Sequence, residues 1–180
     1  WVQHMIKSMN TNGRMAVVLP NGVLFRKGSE GKIRKFLIDQ DLIDTIIGLG
    51  PNIFYGTQLS PCILILRKKK ELHKQSKIFF IDASEQIKIG RAQNYLQNEH
   101  IIKIFRLYCE YINKDNFTNI ASINDIKANK YNLNIPLYIE KNFQNKLPSL
   151  EKSLSDLKKI WDDNLKIEKK FKVLLEEFLH

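Results

Sequence analysis

The chain predicts an α/β fold: an open sheet with an antiparallel hairpin at one edge, followed by a long C-terminal helix. Three observations lead there. Short apolar runs alternate with amphipathic stretches in the order helix, strand, helix, strand, loop, strand, strand, helix. The runs 42–47 and 62–66 are joined by a loop without a helix, so that pair is expected to be antiparallel, whereas the earlier helical crossover suits parallel strands. From about residue 147 the texture changes to a heptad pattern.

Each element has its local reason. Val2, Met5, Ile6 and Met9 share one face of a first helix, which Asn12-Gly13 stops. Met15 to Leu19 is a continuous apolar run, expected to be a strand buried on both faces. Ser29 is placed to cap a helix reaching about Gln40, with Ile33, Phe36 and Leu37 inward and Lys32, Arg34 and Lys35 outward. After the strands at 42–47 and 62–66, the run Arg67-Lys68-Lys69-Lys70 reads as a solvated strand end. Ile78 to Ile81 forms the next strand, ending at Asp82. A helix over 98–112 turns Ile101, Ile104, Phe105, Tyr108 and Ile112 to one side. Ser122 and Asp125 have capping-box spacing for a short helix, and Tyr131 to Pro136 reads as extended.

Leu150, Ser153, Leu157, Ile160, Asn164, Ile167, Phe171, Leu174 and Phe178 form the seam of the last helix, with Asn164 as a polar register-setting member. Such a seam is expected to pack on a partner helix or fold back on its own domain. The domain division expected is therefore 1–142 and 143–180.

The 180 residues include 29 Lys+Arg and 19 Asp+Glu, a net charge of +10. Residues 1–142 hold 21 basic and 12 acidic residues, and residues 143–180 hold 8 and 7. The surplus on the α/β part suits a polyanion partner, or else a Lys-rich solvated surface. No apolar run approaches the roughly 20 residues of a membrane span. No secretory leader is visible in residues 1–12, and the start at Trp1 rather than Met predicts a piece of a longer protein. Cys62 and Cys109 read as reduced core residues of a cytoplasmic protein.

Chemistry-bearing motifs are sparse. Gly48-Leu49-Gly50 follows a strand but opens no helix, so it makes a poor dinucleotide loop. Gly28-Ser29-Glu30-Gly31 opens a helix without the Walker pattern. His4, His73, His100 and His180 lack ligand spacing, so no metal site is expected. Asp82 can act as an acid, a ribose contact or a cap. The loop between the two hairpin strands stands out: Phe54 and Tyr55 sit where a turn is normally polar. They serve either as a plug for the sheet end or as a stacking wall for an extruded base.

Several segments resemble, in order, the modification subunits of type I restriction-modification methyltransferases. They are Asn12-Gly13-Arg14-Met15-Ala16-Val17-Val18-Leu19-Pro20-Asn21-Gly22-Val23-Leu24-Phe25, then Gly28 to Lys35, the Asn52-to-Arg67 loop and strand, Phe80-Ile81-Asp82-Ala83-Ser84, and Tyr131-Asn132-Leu133-Asn134-Ile135-Pro136. The resemblance implies the C-terminal half of a Rossmann-like methyltransferase sheet and an N6-adenine DNA methyltransferase using S-adenosylmethionine. It makes Phe54, or else Tyr55, a wall for the flipped base. It implies three partners: DNA, the specificity subunit and a second modification subunit, with Leu157, Ile160, Ile167, Phe171 and Leu174 on the partner-facing helix. The location would be the cytoplasm of a bacterium or archaeon. Arg26, Lys27 and Arg91 are the candidates for DNA phosphate.

The sequence also departs from the family pattern. It contains no Asn-Pro-Pro-aromatic motif and no Gly-rich cofactor loop after a strand. No catalytic residue is therefore expected here, and this chain alone should be inactive. Gly50 stands where the family usually has Pro, which predicts a slightly looser loop. The other reading is a non-enzymatic module that holds DNA on its basic face and a partner on its helix. An RNA-binding domain lacks its usual Lys/Arg-Gly-Phe signature.

Overall fold

Five strands form one mixed sheet in the computed structural model, which describes residues 1–141 and 150–178. They are β1 (Arg14–Pro20), β2 (Ile43–Leu49), β3 (Pro61–Arg67), β4 (Lys77–Ala83) and β5 (Thr118–Ser122), in the spatial order β1-β3-β2-β4-β5. The helices are α1 (Val2–Ser8), α2 (Ser29–Asp39), α3 (Asn98–Glu110), α4 (Ile123–Ala128) and α5 (Leu150–Phe178). The chain divides into two units, Trp1–Asn142 and Phe143–His180.

The α/β class, the antiparallel β2–β3 pair and the long last helix are as expected. The hairpin is not at the margin. β1 pairs antiparallel with the other side of β3, from Arg14↔Arg67 to Pro20↔Pro61. The α2 crossover therefore skips one strand width, and β3 fills the gap. β1 and β2 both oppose β3 and so run parallel to each other; β4 is parallel to β2. The carboxyl ends of β1, β2 and β4 thus share one edge of the sheet.

β1, expected to be buried on both faces, alternates between exposed and half-buried because it is a margin strand. Met15, Val17 and Leu19 face the core, while Val18 is 48% exposed. β2 is buried at every position. β5 escaped the sequence reading because Thr118 to Ser122 is short and lacks an apolar run. Its outer backbone is already occupied. Thr118 N–H donates to the Lys114 carbonyl, Ile120 N–H to Asn113 Oδ1, and Ser122 N–H to Asp125 Oδ2. The expected capping box is present: Ser122 Oγ accepts from Asp125 N–H in return.

Apolar layers cover both faces. On one face Ile46, Leu64, Leu66, Ile78 and Phe80 pack with Leu37, Ile38, Ile126 and Leu133. Phe80 stacks on Tyr138 at 4.2 Å between ring centroids. On the other, Ile47, Leu49, Phe79 and Ile81 pack against Ile104 and Leu107 of α3. Burying side chains of this size stabilises by about 1.5–3 kcal/mol each. Of the residues expected on the inner face of α3, Ile104 is buried and Tyr108 half-buried, while Ile101, Phe105 and Ile112 are exposed. The apolar stripe is wider than its contact with the sheet. Cys62 is buried, with its thiol pushed up to about 11 by burial, whereas Cys109 lies exposed on α3 and is not a core residue.

α2 is rotated relative to the expectation. Leu37 and Ile38 point inward together with Arg34, and Phe36 is 54% exposed. The inward arc passes through 34, 37 and 38, which leaves 36 on the far side. Arg34 clamps three carbonyls: Nε donates to Tyr131 at 2.8 Å, and Nη1 to Val23 and Arg26 at 2.9 Å each. The acceptor Tyr131 has a left-handed backbone (φ 59), so the segment read as extended instead turns here and then enters a short 3-10 helix at Ile135–Leu137.

The basic run after β3 is likewise not simply solvated. Lys70 is buried and donates to Asp41 at 2.6 Å and to the Lys77 carbonyl at 2.7 Å. Arg67 faces Asp44 at 3.6 Å and bonds Tyr108. Asp44 is buried beside an irregularity in the β2–β3 register between Ile43 and Thr45, and accepts from Thr45 Oγ1. Nearby, Tyr111 Oη is buried without a hydrogen-bond partner among the described residues. Burial, followed by the charges of Asp44, Asp41 and Glu71, pushes its pKa up to about 12.

In α5 every side chain described is exposed, including Leu157, Ile160, Ile167, Phe171 and Leu174 at more than half. The start of the heptad pattern at 147–149 and the side chain of Phe178 lie outside the described residues.

Two outcomes follow from these buried polar groups. Arg34→Met leaves three carbonyls without their donor and should lower stability by about 3 kcal/mol, read as a shift of the urea midpoint; Phe36→Ala should cost under about 0.5 kcal/mol. Tyr111 is neutral in both states below pH 10. Above it the unfolded chain ionises first, so stability should fall as pH rises from 10 to 12, by up to about 2 kcal/mol. Thermal melts across that window should show a smaller fall in Tyr111→Phe, and an equal fall would assign the loss elsewhere.

Candidate functional site at the carboxyl edge of the sheet

Ligands of open α/β sheets bind beyond the carboxyl ends of parallel strands. Three segments meet at that edge here. One is the loop from Gly50 to Ser60, which leaves β2 and returns into β3. Another is the turn after β1, tied to that loop by a 3.0 Å hydrogen bond from Asn21 N–H to the Ser60 carbonyl. The last is residues 84–95, which follow β4.

The loop has to reverse direction in eleven residues, and two left-handed backbone positions make this possible, Asn52 (φ 55) and Gly56 (φ 76). Thr57 Oγ1 accepts from Leu59 N–H and closes its second half. Phe54 is 45% exposed and lines a cavity of about 310 Å³ with Val18, Pro20, Thr57, Leu59 and Pro61. That volume is at the low end of small-ligand sites, fitting one flat heterocycle better than a dinucleotide. No titratable side chain lines it. Tyr55 is 97% exposed and does not line the cavity. The two candidates are thus in different surroundings. Leu59 and Val18 belong to the same cavity and were not singled out from sequence. Their signal was weak, since each is one apolar residue among many.

Gly50 is a point of close approach between two turns. A Cβ there would come within 2.6 Å of the Ser84 carbonyl oxygen and 2.7 Å of Ile87 Cγ2, so the missing side chain permits close approach of the turn after β4. Residues 52–53 are held by that same region through Asn52, Gln93 and Asn94.

The basic candidates are spread along the edge. Arg26 is exposed, pairs with Glu30 at 3.7 Å and lies across Gly22. Lys27 is exposed beside it, just ahead of α2. Arg91 is exposed on the turn that holds the aromatic loop. The structure does not bring Arg26 and Arg91 into one cluster with Phe54; it places them on two segments flanking the loop.

Asp82 closes β4. Its Oδ1 accepts from Ser84 N–H at 2.9 Å, and its Oδ2 faces Lys141 Nζ at 3.1 Å. Lys141 also bonds Ser84 Oγ and Glu85. Burial opposes that ammonium charge, but hydrogen bonds and charge from Glu85 and Asp82 outweigh it and raise its pKa. Asp82 is thus engaged in a local cap and an ion pair. No group of three or more potential metal ligands occurs among the described residues.

The family model for N-6 DNA methylases matches residues 1–146. The chain belongs to the N-6 DNA methylase family. It is 36% identical over 182 residues to the type I restriction enzyme MjaVII methylase subunit of Methanocaldococcus jannaschii, covering 99% of this chain and 30% of that protein. It is 32% identical over 139 residues to the MpnII methylase subunit of Mycoplasma pneumoniae, covering 77% and 25%. Among solved structures it is similar to the type I restriction-modification methyltransferase subunit from Streptococcus thermophilus, with 41% identity and a TM-score of 0.72 over 77% of this chain and 29% of that one. A subunit from a structure of type I restriction-modification complex assembly matches 98% of the chain at 19% identity and a TM-score of 0.58, a likeness of fold. The chain spans about a third or less of the length of these two methylase subunits.

Gly50→Ala forces a methyl group against the Ser84 carbonyl and should cost about 1–3 kcal/mol of stability. A urea titration reads this directly, and an unchanged midpoint would show that the turn after β4 gives way freely.

Proposed function

We propose that this chain is the part of a type I DNA methyltransferase that holds the target adenine and the partner subunits, and that the whole protein transfers a methyl group from S-adenosylmethionine to adenine N6. The observation that carries this reading is the Phe54 cavity, a base-sized apolar recess on the carboxyl edge of the sheet. Phe54 stacks on the extruded ring, and Tyr55 covers it from solvent or meets the neighbouring base. Arg26, Lys27 and Arg91 hold phosphate.

The residues present do not fit a cofactor cradle. The Gly-x-Gly after β2 leads into a loop rather than a helix, and Gly50 is filled in by Ser84 and Ile87. The chain also lacks the Asn-Pro-Pro-aromatic motif that would bind the exocyclic amine in this family. We therefore assign it base and partner binding, and expect it to be inert as a methyltransferase by itself. The exposed apolar seam of α5 favours a docking role alongside this: Leu157, Ile160, Ile167, Phe171 and Leu174 would meet the specificity subunit or a second modification subunit.

The test is Phe54→Ala, made in the complete methyltransferase and in this chain. Loss of one stacking contact is worth about 1–3 kcal/mol, so affinity for DNA with an unpaired adenine at the target position should fall roughly 5- to 150-fold. Unchanged affinity and turnover would remove Phe54 from the base pocket. Labelled cofactor and DNA given to the chain alone should yield no methylated product.

A further inference from the structure

The turn over residues 88–95 is built as a rigid unit and fastened to the aromatic loop at several points. Lys88 and Tyr95 exchange both backbone hydrogen bonds, at 2.8 and 2.9 Å, which closes the base of the turn. Gly90 is indispensable inside it, because a Cβ there would collide with the Gln93 carbonyl oxygen and the Tyr95 ring. Across to the loop, Asn94 N–H donates to the Asn52 carbonyl at 2.8 Å, and Asn94 Nδ2 donates to the Pro51 carbonyl at 2.9 Å. Asn52 Nδ2 donates back to the Ala92 carbonyl at 3.2 Å, and Gln93 Nε2 donates to the Ile53 carbonyl. Asn52, Gln93 and Asn94 thus tie residues 51–53 to residues 92–94, immediately before Phe54 and immediately after Arg91.

We propose that this turn is a positioning clamp: Asn94 locks the Phe54 loop to the segment carrying Arg91, so that an anion held at Arg91 fixes the pose of the stacking ring. The proposal rests on the base-pocket reading above. Its physical basis is connectivity. Pro51, Asn52 and Ile53 all spend their carbonyls on the turn, so the loop cannot swing without breaking bonds to residues 92–94. Phe54 follows with no residue between. Arg91 is the exposed cation nearest in sequence to the clamp. A contact that immobilises Arg91 therefore restrains the entry to the aromatic loop through a few short hydrogen bonds. Asn94 is singled out because its side chain alone joins both parts: Nδ2 donates to the Pro51 carbonyl of the loop, and Oδ1 accepts from Gly90 N–H of the turn at 3.4 Å, while its backbone N–H bond to Asn52 is independent of the side chain.

The test uses the full 180-residue chain and two fluorescent twelve-nucleotide single strands, one oligo(dA) and one of the same length with abasic sites throughout. The ratio of their affinities reads stacking, because the phosphate charge is the same. The wild-type ratio should be about 10. Asn94→Ala, which removes one of the four ties, should lower it by about threefold. Asn94→Asp keeps the acceptor for Gly90 N–H but loses the donor to Pro51, and should do the same. Chymotryptic cleavage after Phe54 and Tyr55 is the second reading: the abasic strand should slow it in the wild type, and should have no effect in Arg91→Ala or Asn94→Ala. If Phe54→Ala lowers the affinity ratio while both Asn94 variants keep it, and keep protection by the abasic strand, the clamp is overturned and the base pocket stands. If Phe54→Ala leaves the ratio unchanged while Asn94→Ala abolishes protection, the clamp stands and the base pocket falls.

Discussion

The position of β3 between β1 and β2 is the constraint on which the rest of the site depends. A strand inserted antiparallel between two parallel neighbours has to be entered from their carboxyl edge. The connection from Leu49 to Pro61 is therefore obliged to turn back over that edge. Any side chains it carries are delivered where open α/β sheets bind ligands. Burial on both faces leaves the register to the polar residues of β2: a one-residue slip would carry buried Asp44 away from Arg67. Gly48 adds a local condition, since a side chain there would collide with Ile135.

Much of this was legible in the sequence because it rests on local pattern. The apolar runs give β2, β3 and β4, and the heptad steps give α5. Ser122 and Asp125 give a capping box that is present in detail. What escaped depends on partners distant in sequence. Nothing near Arg34 announces that Val23, Arg26 and Tyr131 will present carbonyls to it, so the periodic reading sent it outward and took Phe36 inward. Lys70 is buried for the same reason, through Asp41 and the Lys77 carbonyl. β5 is a strand because Phe79 and Ile81 pair with it, and its own composition says little. The Phe54 loop was conspicuous as misplaced aromatics, but its cavity partners Val18 and Leu59 and its anchors Gln93 and Asn94 come from the fold.

The two ends of the sheet divide the labour. At the amino end of β2 the protein keeps a linked set of charges, the buried Asp44 and Lys70 with the half-buried Asp41 and Arg67, and Tyr111 beside them. Such groups tolerate little movement, since each lost partner leaves another unsatisfied. At the carboxyl end lie an apolar recess, the exposed side chains of Arg26 and Glu30, and the more shielded pair of Asp82 and Lys141. Near the proposed ligand the loop is held by amide side chains rather than by ion pairs.

The occupied backbone of β5 gives the sheet a direction. With Thr118, Ile120 and Ser122 already donating to the 113–114 loop and to Asp125, that side offers no ladder for another strand. β1 pairs on one side only. Among the described residues, growth of the sheet by a neighbouring segment or by association between molecules is therefore easier at β1 than at β5. A strand docking on β5 would have to displace the partners of its outward amides, so the hydrogen bonds that finish β5 disfavour linear stacking of copies through both margins.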